Sequence, residues 1–168
     1  MRLMTWTAIW VFFLDQVIKF HVLFNVFGLR WSDVRVPADQ LPYPPPVDVF
    51  PPFLVLTMAW NRGVNFGLFA DFDMRWVLIG VALVISIAVI WWLRRAAASK
   101  WMYLSGGLLV GGAMGNVIDR IFYGAVADFL NMSCCGINNP YAFNVADISI
   151  FLGAVGLAFL SDDKKKPA

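Results

Sequence analysis

The stretch 76-WVLIGVALVISIAVIWWL-93 has no charged side chain over 18 consecutive positions. About 20 residues of α-helix, with a rise of roughly 1.5 Å each, cross the ~30 Å hydrocarbon core of a bilayer. The stretch therefore predicts a membrane-spanning helix. The whole chain favours the same environment, because 60% of its 168 residues are apolar and only 14% are charged. A soluble domain of this length could not bury that much apolar surface.

Three further segments have a similar character. Residues 101–118 are also uncharged, and residues 3–29 and 141–160 are strongly apolar with a few polar positions. We therefore expect an all-α membrane bundle of four transmembrane helices, formed by a single integral membrane domain over residues 1–168. The connection at about 30–75 is expected to form a small extracytoplasmic, partly β subdomain. A cleavable signal peptide is disfavoured, because no small-x-small cleavage site follows the first apolar run.

The basic residues predict how the helices are oriented. Seven of them precede the first predicted helix, lie between the second and third, or follow the fourth, and these seven would lie on one side of the membrane: Arg2, Arg94, Arg95, Lys100, Lys164, Lys165 and Lys166. The connection 30–75 instead has four arginines and five aspartates. The positive-inside rule then predicts that both termini are cytoplasmic. In this orientation nearly all polar residues of the helices would gather in the outer half of the bilayer, which predicts one site there.

Two aspartates beside apolar residues are the main candidates for chemistry. Asp128 lies in Val-Ala-Asp-Phe, and Asp147 lies in Phe-Asn-Val-Ala-Asp. A carboxylate in such surroundings loses hydration unless a partner or water replaces it, so a functional role is the default interpretation. Two of them could share one proton and activate water. Ion pathways and structural pairs use the same chemistry, so the residues alone leave these alternatives open.

Other polar residues have a structural interpretation beside the functional one. Asp15 and Lys19 are spaced i,i+4, in the acid-before-base order that allows mutual neutralisation on one helix face. Asn116 and Arg120 have the same spacing and would share a face. Arg120 could reach the membrane–water interface with its guanidinium group, or it could orient an aspartate and balance the charge of that aspartate.

Three glycines at four-residue intervals, Gly107, Gly111 and Gly115, form a small-xxx-small pattern. This pattern is typical of a helix face that packs closely against a neighbouring helix. We expect that packing role and no other.

The amino-acid composition excludes several protease classes. The chain has one histidine and no glutamate, so it cannot provide the HExxH motif of a zinc protease. A serine–histidine protease would need His21 near a serine, yet Ser105 is expected in the inner half of the membrane. Cys134 and Cys135 are adjacent, and because a disulfide between neighbours is strained, we expect free thiols.

Five sequence blocks, in order, resemble the bacterial lipoprotein signal peptidase (signal peptidase II) family. They touch every predicted helix and the outer loop, and they cover most of the chain. The blocks are Asp15-Gln16-Val17-Ile18-Lys19, Asn61-Arg62-Gly63-Val64-Asn65-Phe66-Gly67, Gly111-Gly112-Ala113-Met114-Gly115-Asn116-Val117-Ile118-Asp119-Arg120, Val126-Ala127-Asp128-Phe129 and Phe143-Asn144-Val145-Ala146-Asp147.

The resemblance implies an aspartic endopeptidase of the bacterial cytoplasmic (inner) membrane, with its active site toward the outer leaflet. It would remove signal peptides from prolipoproteins by cleaving before a diacylglyceryl-modified cysteine, with Asp128 and Asp147 as the catalytic pair. Matched residues that would support the site are Asn61, Asn116, Arg120, Asn144, Asp15, Lys19 and Gly63. Neither a metal nor an organic cofactor is implied. The expected partners are these lipidated substrates and membrane lipid, without nucleic acid and with no oligomer implied.

Two features depart from the family pattern. Many members have a small residue where Asn65 stands. Residues 37–52 are longer and richer in proline than the usual connection, with seven prolines in 16 positions. That composition favours an extended or polyproline path and excludes a central strand. We interpret this segment as an insertion in the outer subdomain, next to the site but not part of it.

A small ion or proton pathway is the main alternative from another class, and a chaperone or scaffold is a further one. A proton relay should distribute ionisable groups across the full thickness of the membrane. The inner halves of the second, third and fourth predicted helices contain none, and a scaffold does not explain the five blocks. Both observations favour the peptidase.

Overall fold

The computed structural model describes residues 1–63, 74–136 and 139–162. Asn65 and the basic run 164–166 lie outside the described residues. In chain order the elements are α1 (Arg2–Phe20), continued by a π-helical segment (His21–Val26), α2 (Trp31–Val34), β1 (Val47–Phe50), β2 (Leu54–Asn61), α3 (Met74–Arg95), α4 (Lys100–Tyr123), β3 (Val126–Asn131) and α5 (Val145–Asp162).

The chain divides into two compact units. We call Met1–Gln16, Ile79–Val117 and the chain from Val145 onward the helical unit; Val17–Leu78 and Ile118–Asn144 form the sheet unit. All four segments predicted as transmembrane contain a long helix. Among the described residues, two helices are long and apolar enough to cross a membrane, Arg2–Val26 and Met74–Arg95, whereas the apolar helix Val145–Ser161 is shorter.

The observed helix ends differ from the predicted ones. The first helix stops at Val26 instead of residue 29, and α5 begins at Val145 instead of residue 141. The third predicted helix, expected to end at residue 118, continues to Tyr123. It ends there because Gly124 has a φ of +76°, and its N–H donates to the Arg120 carbonyl oxygen at 3.2 Å. A left-handed glycine of this kind is a common helix C-cap.

The helices distribute polar and apolar side chains inversely to a soluble protein. Several polar and charged residues of α1, α3, α4 and α5 are buried, and they include Asp15, Ser86, Ser105, Asn116 and Ser149. Many large apolar residues of these helices are more than half exposed, and they include Trp10, Val84, Ile87, Phe151 and Phe159. Exposed apolar side chains on this scale are expected where lipid covers the protein.

The glycine stripe of α4 packs against α1 in the helical unit, as predicted. A Cβ at Gly107 would lie 2.7 Å from the Met4 carbonyl oxygen, and a Cβ at Gly111 would lie 2.6 Å from the Ala8 carbonyl oxygen. Real Cβ atoms do not approach a backbone so closely, so only glycine permits this separation of the helices.

The sheet unit contains a small sheet, as the sequence predicts for residues 30–75, but the third strand, β3, comes from outside that range. Its three strands are antiparallel in the order β1-β2-β3. The proline-rich segment 37–52 contributes only the edge strand β1, in agreement with the exclusion of a central strand. The segment also packs on the core of this unit, because Leu41 is buried and Trp60 Nε1 donates to the Pro42 carbonyl oxygen at 2.8 Å.

The register of β2 and β3 separates the core face of the sheet from the face that holds Asp128. Trp60 is opposite Ala127, and both belong to the buried apolar core of the sheet unit. Asp128 is opposite Ala59, and Asn61 is opposite Val126. Because side chains alternate along a strand, Asp128 and Asn61 lie on the other face of the sheet.

Candidate active site

Asp128 is held by an asparagine amide within the sheet unit. The Phe143 N–H donates to the Leu130 carbonyl oxygen at 3.0 Å, which sets the next residue, Asn144, beside β3. Asn144 Nδ2 then donates to Asp128 Oδ1 at 2.6 Å and lies 3.4 Å from the Ala127 carbonyl oxygen. Asn144 is fully buried and Asp128 is 4% exposed. The amide therefore fixes the orientation of a buried carboxyl group.

Asp147 has an equivalent partner within the helical unit. It lies in the first turn of α5, and its Oδ1 accepts a hydrogen bond from Asn116 Nδ2 at 2.8 Å. Asn116 is a buried residue of α4. Both predicted catalytic aspartates thus accept a hydrogen bond from the side-chain amide of an asparagine that is itself a predicted site residue.

Asp15 caps the helix that bears Asp147. Its Oδ1 accepts from the Ala146 N–H at 2.9 Å, and its Oδ2 accepts from Gln16 Nε2 at 3.1 Å. The first N–H groups of a helix have no intrahelical acceptor, and a carboxylate is favourable at this positive end of the helix dipole. A Cβ at Gly115 would lie 2.5 Å from Asp15 Oδ2, so this glycine makes room for the cap.

Lys19 and Asp119 form a buried ion pair that holds β3. Lys19 Nζ lies 2.8 Å from Asp119 Oδ2, and the two side chains are 3% and 1% exposed. The same oxygen accepts the Ala127 N–H at 3.1 Å, one residue before Asp128. Such a pair has a large desolvation penalty, which good geometry and further hydrogen bonds offset. The i,i+4 spacing of Asp15 and Lys19 gave no indication of this partner for Lys19.

Asp119 is the residue that sequence reasoning missed. It lies in a family block but is not among the residues predicted to support the site. A local repeat could have identified it, because Asn116-Val117-Ile118-Asp119 has the same pattern as Asn144-Val145-Ala146-Asp147. In each copy the asparagine donates a hydrogen bond to an aspartate outside the copy: Asn116 to Asp147, and Asn144 to Asp128. The aspartate three residues after each asparagine is Asp119, which is buried, or Asp147, which is partly buried.

Asn61 and Gly63 form a turn at the end of β2. The Gly63 N–H donates to Asn61 Oδ1 at 3.0 Å. Gly63 has a φ of +110°, and a Cβ there would lie 2.6 Å from Leu78 Cδ1. Both backbone conformation and space therefore require glycine. The turn lies next to the face of the sheet that holds Asp128.

The remaining predicted residues differ in how far the structure defines them. Arg120 lies on α4 directly after Asp119 and is partly buried; its action on a catalytic aspartate stays a prediction. Cys134 and Cys135 are free, exposed thiols. Within the described ranges, no three His, Cys, Asp or Glu side chains are grouped so that they could hold a metal ion.

Fold and site together define a helical membrane protein whose aspartates are anchored by asparagine amides, an arrangement suited to acid–base chemistry. The family profile described as Signal peptidase (SPase) II matches residues 7–161. The chain therefore belongs to the signal peptidase II family and is a peptidase. This membership favours the peptidase over an ion or proton pathway and over a scaffold.

Relatives and solved structures agree with this assignment. A lipoprotein signal peptidase of Methylobacterium sp. (strain 4-46) is 47% identical over 145 residues, covering 79% of this chain and 86% of the relative. One of Vibrio cholerae serotype O1 is 34% identical over 166 residues, covering 97% and 88%. A bacterial membrane enzyme solved by the in meso method at 1.9 Å resolution has a TM-score of 0.73 and 26% identity, covering 97% of this chain and 94% of that one.

Proposed function

We propose that this chain removes signal peptides from diacylglyceryl-modified prolipoproteins by cleaving before the lipidated cysteine. Asp128 and Asp147 are the proposed catalytic pair. The observation that carries the proposal is that a member of the signal peptidase II family holds both of these aspartates on buried asparagine amides.

The two hydrogen-bond networks are interleaved along the sequence, which supports their joint action. Asn144, the donor to Asp128, precedes Asp147 by three residues. Asn116, the donor to Asp147, precedes Asp119 by three residues. A shift of either segment would therefore disturb an amide donor and a carboxylate at the same time.

The proposed mechanism uses both carboxyl groups in different protonation states. Two neighbouring carboxylates do not both ionise readily, so one keeps a proton while the other acts as a general base toward water. The water oxygen attacks the scissile carbonyl carbon, and the protonated aspartic acid donates a hydrogen bond to the carbonyl oxygen. When the C–N bond breaks, a proton passes to the leaving amine. Asn116 and Asn144 orient the two carboxyl groups by holding one oxygen of each.

The surrounding residues have supporting roles in this proposal. Asp15 caps the turn that bears Asp147, and the ion pair of Lys19 with Asp119 fixes the backbone beside Asp128. Arg120 would balance negative charge at the catalytic pair. Asn61 and Gly63 would shape the approach to it, and neither acts as an acid or a base.

We also propose four membrane crossings, by α1 with its π-helical continuation, α3, α4 and α5. Both termini would be cytoplasmic, and the active site would face the outer leaflet of the bacterial cytoplasmic (inner) membrane. The buried polar and exposed apolar residues of these helices support the proposal. So do Arg94 and Arg95 at the end of α3 and Lys100 at the start of α4, according to the positive-inside rule.

The catalytic pair is tested by Asp128→Asn and Asp147→Asn, which nearly preserve volume but remove the acid–base group. Cleavage of a diacylglyceryl prolipoprotein in detergent micelles should fall by about 10²–10⁴-fold in each. Asp48→Asn is a matched control, since Asp48 is an exposed aspartate of β1 and should retain activity. Substantial turnover by either catalytic variant, with unchanged thermal unfolding, would contradict the assignment.

The lipid requirement separates this function from that of a general membrane peptidase. Each buried methylene of an acyl chain contributes about 0.8 kcal/mol, so two chains bind strongly and also fix the depth of the scissile bond. We expect kcat/KM to be far higher for a diacylglyceryl-cysteine substrate than for the same peptide with a free cysteine, in matched detergent. Equal values would contradict lipoprotein specificity while leaving the peptidase assignment intact.

A further inference from the structure

The tip of the β1–β2 hairpin exposes an ordered apolar surface. Five successive apolar residues occupy it, Val49-Phe50-Pro51-Pro52-Phe53. The side chains of Val49, Phe50 and Phe53 are 54%, 64% and 50% exposed. The two phenylalanine rings stack on each other, with centroids 5.6 Å apart and planes inclined by 22°. These rings therefore remain at the surface instead of packing into the core of the sheet unit.

A second segment of the sheet unit extends this surface. Met132 follows β3 and is 48% exposed, and it lines a cavity of about 440 Å³ together with Phe53. The Ser133 N–H donates to the Pro52 carbonyl oxygen at 3.3 Å, which ties the hairpin tip to this segment. We call Val49, Phe50, Phe53 and Met132 the hairpin patch.

The chemistry of the hairpin patch favours lipid over a protein as its occupant. No Asp, Glu, Lys, Arg or His occurs between residues 49 and 61 or between residues 129 and 146. Those segments therefore offer no charge to complement a polar protein partner. An exposed apolar hairpin is unfavourable in water and tends to associate. The boundary between lipid headgroups and acyl chains, by contrast, accommodates aromatic and aliphatic side chains well.

We propose that the hairpin patch inserts into the interfacial layer of the bilayer and anchors the sheet unit there. The chain belongs to a family of membrane enzymes, so a bilayer is always within its surroundings. The inference does not depend on which residues perform the cleavage.

The anchor has a consequence for Asp128. Phe53 immediately precedes β2, and β2 pairs with β3 so that Ala59 is opposite Asp128. Both strands belong to one three-stranded sheet, so the depth of the anchored tip would influence the depth of this carboxyl group. The hairpin patch would thus help to set the depth at which the sheet unit presents Asp128.

A fluorescent label at Val49 tests the proposal in the full-length protein. Val49→Cys is combined with Cys134→Ser and Cys135→Ser, labelled with an environment-sensitive nitrobenzoxadiazole group, and reconstituted into vesicles of phosphatidylcholine and phosphatidylglycerol. Asp39→Cys in the same background is the matched control, because Asp39 is an exposed polar residue of the same unit. Val49 is itself exposed, so the label should not disturb folding.

We expect iodide in the aqueous phase to quench the Val49 label about five-fold less than the Asp39 label, because interfacial lipid excludes the anion. Lipids with a shallow doxyl group should quench it strongly. Adding Phe50→Ser and Phe53→Ser should remove both effects, with the thermal unfolding midpoint as a check on folding. A label at Met132→Cys provides a second position that should behave like Val49.

Three outcomes would overturn the proposal. Iodide could quench the Val49 and Asp39 labels equally, which would mean that the patch is in water. The label could be shielded from iodide but insensitive to doxyl lipids, which would indicate a second copy of the chain or a peptide on the patch. Equal doxyl quenching at Val49 and Asp39 would show that the whole unit lies at the membrane surface without a specific anchor.

Discussion

Replacing Gly115 by alanine should disturb the cap on α5 and with it the turn that bears Asp147. A Cβ at Gly115 would lie 2.5 Å from Oδ2 and 3.2 Å from Cγ of Asp15, so the carboxylate has to move. Overpacking a tight interior costs about 1–3 kcal/mol, and loss of a capping acceptor costs about 0.5–2 kcal/mol. We therefore expect Gly115→Ala to lower the free energy of unfolding by roughly 2–4 kcal/mol. Cleavage should fall as well, because Ala146 loses its acceptor.

The same substitution on α3 provides the control. A Cβ at Gly80 would meet no atom within 4 Å, and alanine is favoured over glycine in a helix by about 0.5–1 kcal/mol. Gly80→Ala should therefore be neutral or stabilising, with unchanged activity. Both variants are compared by unfolding in mixed micelles of increasing dodecyl sulfate content, followed by tryptophan fluorescence, and by prolipoprotein cleavage.

A double variant distinguishes the proposed clash from a general loss of packing. Asp15→Ala removes the carboxylate that the new methyl group would meet, so Gly115→Ala should cost less in that background than in the wild type. If the two effects simply add, the methyl group does not act through Asp15. If Gly115→Ala is as harmless as Gly80→Ala, the carboxylate is not held against Gly115 and the capping argument is wrong.

Three further predictions concern residues outside the proposed catalytic pair. Lys19→Met and Asp119→Asn should each lower the free energy of unfolding by about 3–5 kcal/mol, because each removes one partner of a buried ion pair. The double variant should lose less than the sum of the two single losses. Wild-type unfolding midpoints for the single variants in the same micelle titration would refute the pairing. Cys134→Ser combined with Cys135→Ser should retain most of the cleavage activity, since neither thiol takes part in acid–base catalysis by aspartates. A hydrogen bond with the Cys135 side chain raises the pKa of Cys134 above its ordinary 9.0, so alkylation of Cys134 should be slow at neutral pH and accelerate only in more alkaline solution. Complete loss of activity in a folded double variant would reveal a thiol that the mechanism requires.

The helices were predictable because lipid imposes a simple rule on sequence. Backbone groups inside a bilayer must be satisfied within their own segment, so an uncharged run such as residues 76–93 has few alternatives to a helix. The aspartates were predictable because a carboxyl group in apolar sequence is costly and is therefore rare without a functional or structural role. The family blocks then indicated that Asp128 and Asp147 form the predicted pair.

The contacts that position the predicted site residues were much harder to predict from the sequence. Apolarity ends near residue 118, yet α4 continues to Tyr123 because helix geometry persists until Gly124 adopts a left-handed conformation. Local spacing paired Lys19 with Asp15, whereas the ion pair to Asp119 joins residues a hundred positions apart in the chain. Partners at such separations depend on which segments pack together, and a single sequence does not encode that choice in any short pattern.

The hydrogen bond from Ala146 to Asp15 joins residues 131 positions apart, and it therefore joins α5 to α1. During synthesis Asp15 of α1 cannot accept this hydrogen bond until α5 has been made and has packed against α1. Until then other groups or water must solvate its carboxyl group. The protein should accordingly tolerate being made as two separate fragments, cut in the connection between α3 and α4, only if both are present in one membrane. Co-expressed halves should regain cleavage activity, whereas a C-terminal half alone, although it carries Asp128 and Asp147, should remain inactive.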